Sequence, residues 1–331
     1  MNTASNVEIR DAIVVGAGAA GVGVGVALKH AGVEDFLIVD RHGVGASFER
    51  WPAETRFITP SFATNSIGML DLNSVAIGVS PAYSLQVEHP TGAEYAAHLR
   101  AVAKFFKLPV QDGVDVIHVT KHADVFVLDT PDETLYCKQL IWAAGEFQYP
   151  KTNGFAGADL CRHTATVPSY GDLPGDDFVI IGGYESGVDA AFHLAYYDKR
   201  SRLLDAACPW EDESSDPSVS LSTYSLERMR EEWFGSQVDL LPHREVRAVE
   251  QRGDSYVVRT GDGEELETPA PPLLANGFRG SMQLVDDLFE PRDDGYPLLS
   301  EHDESTITPG LFLCGPSVRH EQHVFCFIYK Y

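Results

Sequence analysis

Asp11-Ala12-Ile13-Val14-Val15-Gly16-Ala17-Gly18-Ala19-Ala20-Gly21 opens the first motif of the chain, and Phe36-Leu37-Ile38-Val39-Asp40 closes it. Ala12–Val15 is an apolar run too short for a helix and followed at once by glycine. It reads as a buried strand of a parallel sheet. Gly16–Gly21 spells G-x-G-x-x-G and leads into a predicted helix over Val22–His30. A second buried strand ends in Asp40, 24 positions after Gly16. Each part has a physical job. Gly16 makes the tight turn, and Gly18 has no Cβ to block a pyrophosphate. Ala19 and Ala20 lie in the turn, and the N-terminal N–H groups of the helix that follows receive phosphate charge. Gly21 lets helix and strand pack closely, and Asp40, followed by Arg41, offers acceptors to a ribose hydroxyl. The glycines alone would also suit a turn with no ligand. The order strand, turn, helix, strand, acid points to a bound dinucleotide.

Composition sets the frame around that unit. The chain has 331 residues, 44% hydrophobic and 22% charged, ordinary for a globular protein and long enough for two domains. Its net charge of −24 argues against nucleic acid or an anionic membrane as a partner. The five cysteines, Cys137, Cys161, Cys208, Cys314 and Cys326, form no C-x-x-C pair. That suits a reducing cytoplasm and offers no internal redox dithiol. The uncharged segment Ala12–Leu28 holds five glycines and lacks a basic lead, so it reads as dinucleotide turn and helix rather than a targeting or membrane segment. A cytoplasmic location is expected.

A second unit follows the same order. Phe178–Ile181 is a strand, Gly182-Gly183-Tyr184-Glu185-Ser186-Gly187 its turn, Val188–Tyr197 a helix, and Arg202–Asp205 a strand whose acid stands 23 positions after Gly182. Tyr184 occupies the place of the pyrophosphate-facing glycine, where a side chain hinders close approach unless it swings aside. Asp205 would bond a ribose 2′-hydroxyl and repel a 2′-phosphate, which slightly favours NADH over NADPH; Arg200 and Arg202 keep NADPH open.

The remaining chain reads more coarsely. Residues 1–10 form a polar lead, and 61–90 is a loop rich in breakers. Thr91–Phe106 is a helix with Thr91 as N-cap and Glu94 three residues on. Leu108–Val110, Val114–Val119, Val125–Leu128 and Leu135–Cys137 read as strands of an antiparallel element. Gln139–Ala144 is a separate buried strand. Cys208–Ser220 reads as a mobile acidic surface loop in which Trp210 is either a lid anchor or a packed residue. Ser225–Trp233 is helical, Val238–Leu241 is a strand, and Val246–Gln251 with Tyr256–Thr260 forms a hairpin around Gly253-Asp254.

From Arg41 to Pro52, glycines, two basic residues and two aromatics have no regular period. The stretch is an exposed loop or, as preferred here, a cover for a flat cofactor ring. Its Gly45-Ala46-Ser47-Phe48-Glu49-Arg50-Trp51, with Arg56-Phe57-Ile58-Thr59-Pro60, resembles the G-x-S-W-x-x-R/W and R-L-x-T-P segments of flavin-containing monooxygenase-like proteins. Ile141-Trp142-Ala143-Ala144-Gly145 resembles the strand on which two-dinucleotide flavoproteins cross between domains, and Leu273–Phe278 resembles the returning one. Gly310–Gly315 is similar to their P-G-L-F-x-x-G strand, with Pro316 where an aspartate is usual. Gly154–Gly157, His163 and Tyr170 make a stretched version of the monooxygenase fingerprint. Gly182–Ala191 resembles the G-G-x-x-S-x-V-D-A-A turn of low-molecular-weight thiol-disulfide reductases.

The resemblance to the pyridine nucleotide-disulfide oxidoreductase and flavin monooxygenase superfamily spans nearly the whole chain. It implies an α/β protein of two Rossmann-like, three-layer dinucleotide-binding domains. Residues 1–150 and 273–331 would bind FAD, and 151–272, inserted between, would bind NAD(P)H. Ser47, Phe48, Trp51, Thr59, Val116, Ala144, Gly145 and Gly315 join the first turn as expected FAD contacts. The activity implied first is monooxygenation of a small molecule through a flavin C4a-(hydro)peroxide. Reduction of a small disulfide without an internal dithiol comes second, and a nonenzymatic flavin-binding sensor third. A homodimer is an open expectation. Arg319 and His320 follow the Gly315 turn and are the candidate catalytic residues, placing positive charge or a proton donor near the flavin. His323 and Cys326 extend that helical pattern, as packing residues or, with His320, as metal ligands. The pattern still reads as helix at Tyr331, so a longer natural chain is expected.

Overall fold

The computed structural model describes residues 8–62, 71–213 and 220–318. The chain opens with β1 (Ile9–Val15), α1 (Ala19–His30) and β2 (Phe36–Asp40). Short helices α2 (Ala46–Glu49) and α3 (Pro81–Leu85) and the longer α4 (Gly92–Phe105) follow. Strands β3 (Val110–Asp112), β4 (His118–His122), β5 (Val125–Asp129) and β6 (Thr134–Trp142) come next. A second α/β unit runs through β7 (Arg162–His163), β8 (Asp177–Ile181), α5 (Glu185–Tyr196) and β9 (Arg200–Asp205). It continues through α6 (Thr223–Met229), α7 (Glu232–Gln237), β10 (Val238–Pro242), β11 (Val246–Arg252), β12 (Ser255–Thr260), β13 (Glu265–Thr268) and β14 (Leu273–Leu274). The hairpin strands β15 (Glu290–Pro291) and β16 (Pro297–Leu298) precede β17 (Leu311–Leu313).

The first sheet has seven strands in the order β3-β2-β1-β6-β5-β4, with β17 also paired to β6. β6 is shared along its length. Thr134–Cys137 lies antiparallel to β5, whereas Leu140–Trp142 lies parallel to β17. The second sheet, β10-β9-β8-β14-β7, is parallel throughout. β11, β12 and β13 form an antiparallel sheet of their own.

Alternation along β1 explains the layers. Ala12 and Val14 pack with Ile38 and the α1 side chains Ala20, Val24 and Leu28. Ile13 and Val15 face the opposite side, towards Val119, Leu140 and Leu313. From Ala12 to Val15 both faces are covered, so that part of the strand is apolar without interruption; fully burying one such side chain contributes about 1.5–3 kcal/mol. β8 repeats the arrangement. Phe178 and Ile180 pack on Val188, Ala191 and Leu194 of α5, while Val179 and Ile181 meet Val249 and Val258 of the antiparallel sheet. α4 begins with the expected capping box, Thr91 N–H donating to Glu94 at 2.7 Å and Glu94 N–H to the Thr91 hydroxyl at 3.3 Å.

Several expectations need correction. Ile9 and Arg10 belong to β1 rather than to a loose polar lead. The strand near Leu108–Val110 is Val110–Asp112, and it runs parallel to β2 instead of joining the antiparallel element. Only His118–His122 of the next segment is strand; Val114 and Val116 precede it as irregular chain. The strands read at 135–137 and 139–144 meet in one, β6 (Thr134–Trp142), because a single strand serves two partners, β5 and β17, along one edge. A short helix, α3, interrupts the loop read over 61–90. The Ser225–Trp233 helix divides into α6 and α7. Cys208 and Pro209 are buried at the start of what reads as a surface loop.

Candidate cofactor site

The glycines of the first turn separate by what each one does. Gly16 has φ +107°, and a Cβ there would lie 2.3 Å from the Ala143 carbonyl oxygen. A Cβ on Gly21 would lie 1.8 Å from the Gly16 carbonyl oxygen. Both are therefore required by the fold itself. Gly18 is different: its φ is −75°, and a Cβ would meet nothing within 4 Å. Nothing in the protein demands glycine there, so the open space fits a ligand group approaching the backbone. No side chain caps α1, and its first turn, starting at Ala19 and Ala20, carries no acid. Its leading N–H groups and dipole are left to an anion.

Asp40 anchors the other side of the turn. One carboxylate oxygen accepts from Ala17 N–H at 2.7 Å, and the other from His42 and Gly43 N–H, each at 2.7 Å. The acid thus holds the turn and the next loop together while bordering a cleft. That cleft, open to solvent, is lined by Gly16, Asp40, Arg41, Val114, Asp115, Val116, Trp142, Ala144, Gln148, Tyr149 and Leu284 among others. Five expected contacts, Gly16, Asp40, Arg41, Val116 and Ala144, meet here. Arg41 donates to Gln148 Oε1 at 2.7 Å, lies 3.6 Å from Asp115, and stands 5.7 Å from the Tyr149 ring. Gln148 in turn donates to Ser47 at 3.3 Å, tying a further expected contact to the cleft. Sequence reading missed Gln148 and Tyr149, which lie in irregular chain after β6 and carry no motif.

Gly145 and Gly315 both have positive φ, at +67° and +99°. A Cβ on Gly315 would lie 3.5 Å from the Ala20 side chain, so the turn after β17 meets the start of α1. Phe48 and Trp51 belong to an aromatic cluster with Phe57 and Tyr95, at centroid distances of 4.4–5.7 Å. The rings continue from Trp51 through Phe147 and Phe278 to His163. The Thr59 carbonyl accepts from the Asn73 side chain at 2.9 Å, and the Asn73 carbonyl accepts from the Tyr95 hydroxyl at 2.7 Å. Arg319, His320, His323 and Cys326 lie outside the described residues.

The second turn repeats the first in detail. Gly182 has φ +104°, a Cβ on it would lie 2.5 Å from the Ala275 carbonyl, and one on Gly187 would lie 1.8 Å from the Gly182 carbonyl. Asp205 accepts from Gly183 N–H at 2.6 Å and from Ala207 and Cys208 N–H, each at 2.7 Å. Tyr184, at φ −82° and ψ −168°, has nearly the backbone of Gly18, at −75° and −164°. A tyrosine is accommodated there without strain, and it is 36% exposed. Ser186 is exposed beside it. Glu185, expected at the nucleotide, bonds instead to the start of α6, accepting from Ser222 N–H at 2.6 Å and from the Ser225 hydroxyl at 2.6 Å. Trp210 packs against Gly183, where a Cβ would stand 2.0 Å from its ring, which makes it a packed residue.

Polar contacts join the two units. Glu54 accepts from the Ser169 hydroxyl at 2.6 Å and from Tyr170 N–H at 3.2 Å. Thr55 donates to Asp189 of α5 at 2.6 Å, and Arg228 donates to the other oxygen of that carboxylate at 2.8 Å. Burial alone would raise the Asp189 carboxyl, but bonding to His193, the charges of His193 and Arg228, and Thr55 bring it down to about 2. His163, from the stretched fingerprint, is 3% exposed and bonded at both ring nitrogens, to the Gly277 carbonyl and to Ala165 N–H. Burial holds its pKa below the ordinary value, so it ties two crossover segments together as a neutral ring.

Known proteins resemble this architecture. The chain is 29% identical over 204 residues to the uncharacterized oxidoreductase CzcO of Bacillus velezensis, a match spanning 60% of this chain and 54% of that protein. It is 24% identical over 315 residues to bacilliredoxin reductase Bdr of Bacillus subtilis, covering 92% of this chain and 88% of the relative. Among solved structures, bacillithiol disulfide reductase Bdr of Staphylococcus aureus matches with TM-score 0.79 at 20% identity, over 98% of this chain and 95% of that one. A flavin-containing monooxygenase from Stenotrophomonas maltophilia matches with TM-score 0.70 at 18% identity, over 93% and 90%. Two dinucleotide turns with matching acids stand on the parallel strands of a mixed sheet and of a parallel sheet. Residues 13–315 match the family model of the pyridine nucleotide-disulphide oxidoreductases, and the chain belongs to that family.

Proposed function

We propose that the protein is an NAD(P)H-dependent flavoenzyme that reduces a small disulfide or a similar low-molecular-weight acceptor. The observation carrying this reading is Asp189. It is the aspartate of the V-D-A-A turn that resembles thiol-disulfide reductases, and it docks the nucleotide-unit helix on Thr55 of the flavin unit. The similarity to bacilliredoxin reductase along 92% of the chain supports the same reading. Burial pushes the thiols of Cys137, Cys161 and Cys314 up to about 12, so they stay protonated at neutral pH. Electrons would then pass to the acceptor directly. The balance is NAD(P)H, one proton and one disulfide giving NAD(P)⁺ and two thiols. FAD, when bound, supplies the two-electron chemistry. The chain's part is to hold the pyrophosphate at α1, border the adenosine with Asp40, Arg41 and Val116, and keep the two units in register.

A second reading, monooxygenation of a small molecule, is favoured by the Gly45–Trp51 and Arg56–Pro60 segments and their aromatic cluster. One experiment separates the two. Under anaerobic conditions, purified holoprotein is given NADH or NADPH with a panel of low-molecular-weight disulfides, and thiol release is followed beside nucleotide oxidation. Two thiols per nucleotide support the reductase. Turnover that requires O₂ and yields no thiol supports the monooxygenase.

A further inference from the structure

The parallel strands β9 and β10 are neighbours, with Asp205 opposite Pro242, so the loops that follow them leave the sheet side by side. Cys208 and Glu211 stand on the first loop, and His243 on the second. The Cys208 sulfur lies 3.5 Å from His243 Nδ1 and accepts the His243 backbone N–H at 2.9 Å. Glu211 Oε2 lies 3.5 Å from His243 Nε2. One donor atom from each residue lies within 4.8 Å of the other two. Cys208 is 1% exposed, whereas the side chains of His243 and Glu211 are 71% and 51% exposed. Cys208 and His243 both have positive φ, +54° and +56°, unusual for residues with a Cβ. Two bent loops thus bring a thiol, an imidazole and a carboxylate to one point.

These are zinc donors. In a tetrahedral site with Zn–S of about 2.3 Å and Zn–N of about 2.0–2.1 Å, sulfur and nitrogen stand roughly 3.5–3.6 Å apart. The Cys208–His243 separation already has that value, and the exposed Glu211 can turn one oxygen into the third position. The fourth faces solvent. We propose that Cys208, His243 and Glu211 bind one Zn²⁺ ion that clips the loop after β9 to the loop after β10. On binding, the Cys208 S–H bond breaks, its proton leaves to solvent and a zinc–thiolate bond forms, with no change of oxidation state. The clip holds the segment that contains Asp205 and Trp210, and therefore the floor of the second dinucleotide turn.

The test uses the full flavin-loaded chain, stripped with a chelator and then equilibrated by dialysis against zinc alone, with metal counted by elemental analysis. Wild type is expected to hold one equivalent that Cys208→Ser and His243→Asn do not, with affinity reduced at least about a hundredfold; Glu211→Gln should weaken it about tenfold. Cys161→Ser should bind as wild type does. Asparagine tolerates the positive φ at 243, and that exposed position should leave fold and FAD content unchanged. A wild-type protein that takes up no zinc at micromolar free metal overturns the proposal. So does an equivalent that persists in both Cys208→Ser and His243→Asn.

Discussion

Gly18 and Gly21 differ by three positions and make opposite predictions. Gly18→Val adds a side chain where the protein offers no contact within 4 Å, so the fold should survive while FAD is lost. Absorbance of the purified variant, set beside its melting temperature, checks both halves. Gly21→Ala instead drives a Cβ to 1.8 Å from the Gly16 carbonyl, and should lower stability by several kcal/mol, in the upper range of single substitutions. The spacing of the glycines and acids was legible in the sequence because each has a fixed place in the unit. Gln148 and Tyr149 were not, since their role follows from where the chain passes after β6. Glu185 was misleading for a related reason: its partners, Ser222 and Ser225, are 37 and 40 positions away. For Arg319 and His320 the expectation stays functional. Arg319→Ala and His320→Ala should slow flavin reduction or turnover at unchanged FAD content, which stopped-flow spectra can decide.

At the scale of elements, α5 is held at both ends of its charge. Asp189 and Arg228 are both more than nine-tenths buried, at 7% and 8% exposure. Arg228→Met takes from a buried carboxylate one of its two charged partners, His193 being the other, and should cost about 3–5 kcal/mol in urea unfolding near neutral pH. The pH dependence has a definite sign. The folded-state pKa of Asp189 lies below its unfolded value, so its contribution is complete above about pH 4 and is lost as pH falls towards 2. Wild type should therefore exceed Asp189→Asn in stability at about pH 6, and by less at about pH 3. The regular elements were readable where one rule governed them: buried strands from apolar runs, α4 from its capping box. They were misread where one strand had two partners along a single edge. β6 looked like two strands because Lys138 interrupts the run between Cys137 and Gln139, although its backbone continues unbroken.

Across the whole molecule, the two dinucleotide units are near copies down to the three N–H groups that each strand-end acid accepts. That symmetry makes their differences informative. Neither helix has a side-chain cap, but the first unit offers an open glycine at Gly18 where the second carries Tyr184, and the second has an acid, Glu185, in its first turn where the first has none. Nucleotide choice should depend on charge at Asp205, and Asp205→Asn, which keeps one oxygen for Ala207 and Cys208 N–H but gives up the bond from Gly183 N–H, should narrow any preference for NADH over NADPH. Flavin reduction rates with each nucleotide measure this; a wild type reduced far faster by NADPH would reverse the expectation. No helix among the described residues is long and apolar enough to cross a membrane. The shared strand β6 also has a consequence for synthesis. Its Leu140–Trp142 edge is paired by Leu311–Leu313, which leave the ribosome only after the entire second unit. Until then the nascent first sheet carries an open parallel edge beside a completed meander, the kind of edge that recruits foreign strands. Early folding of the second unit would not close it, so the nascent chain's exposure to aggregation should end only when β17 emerges.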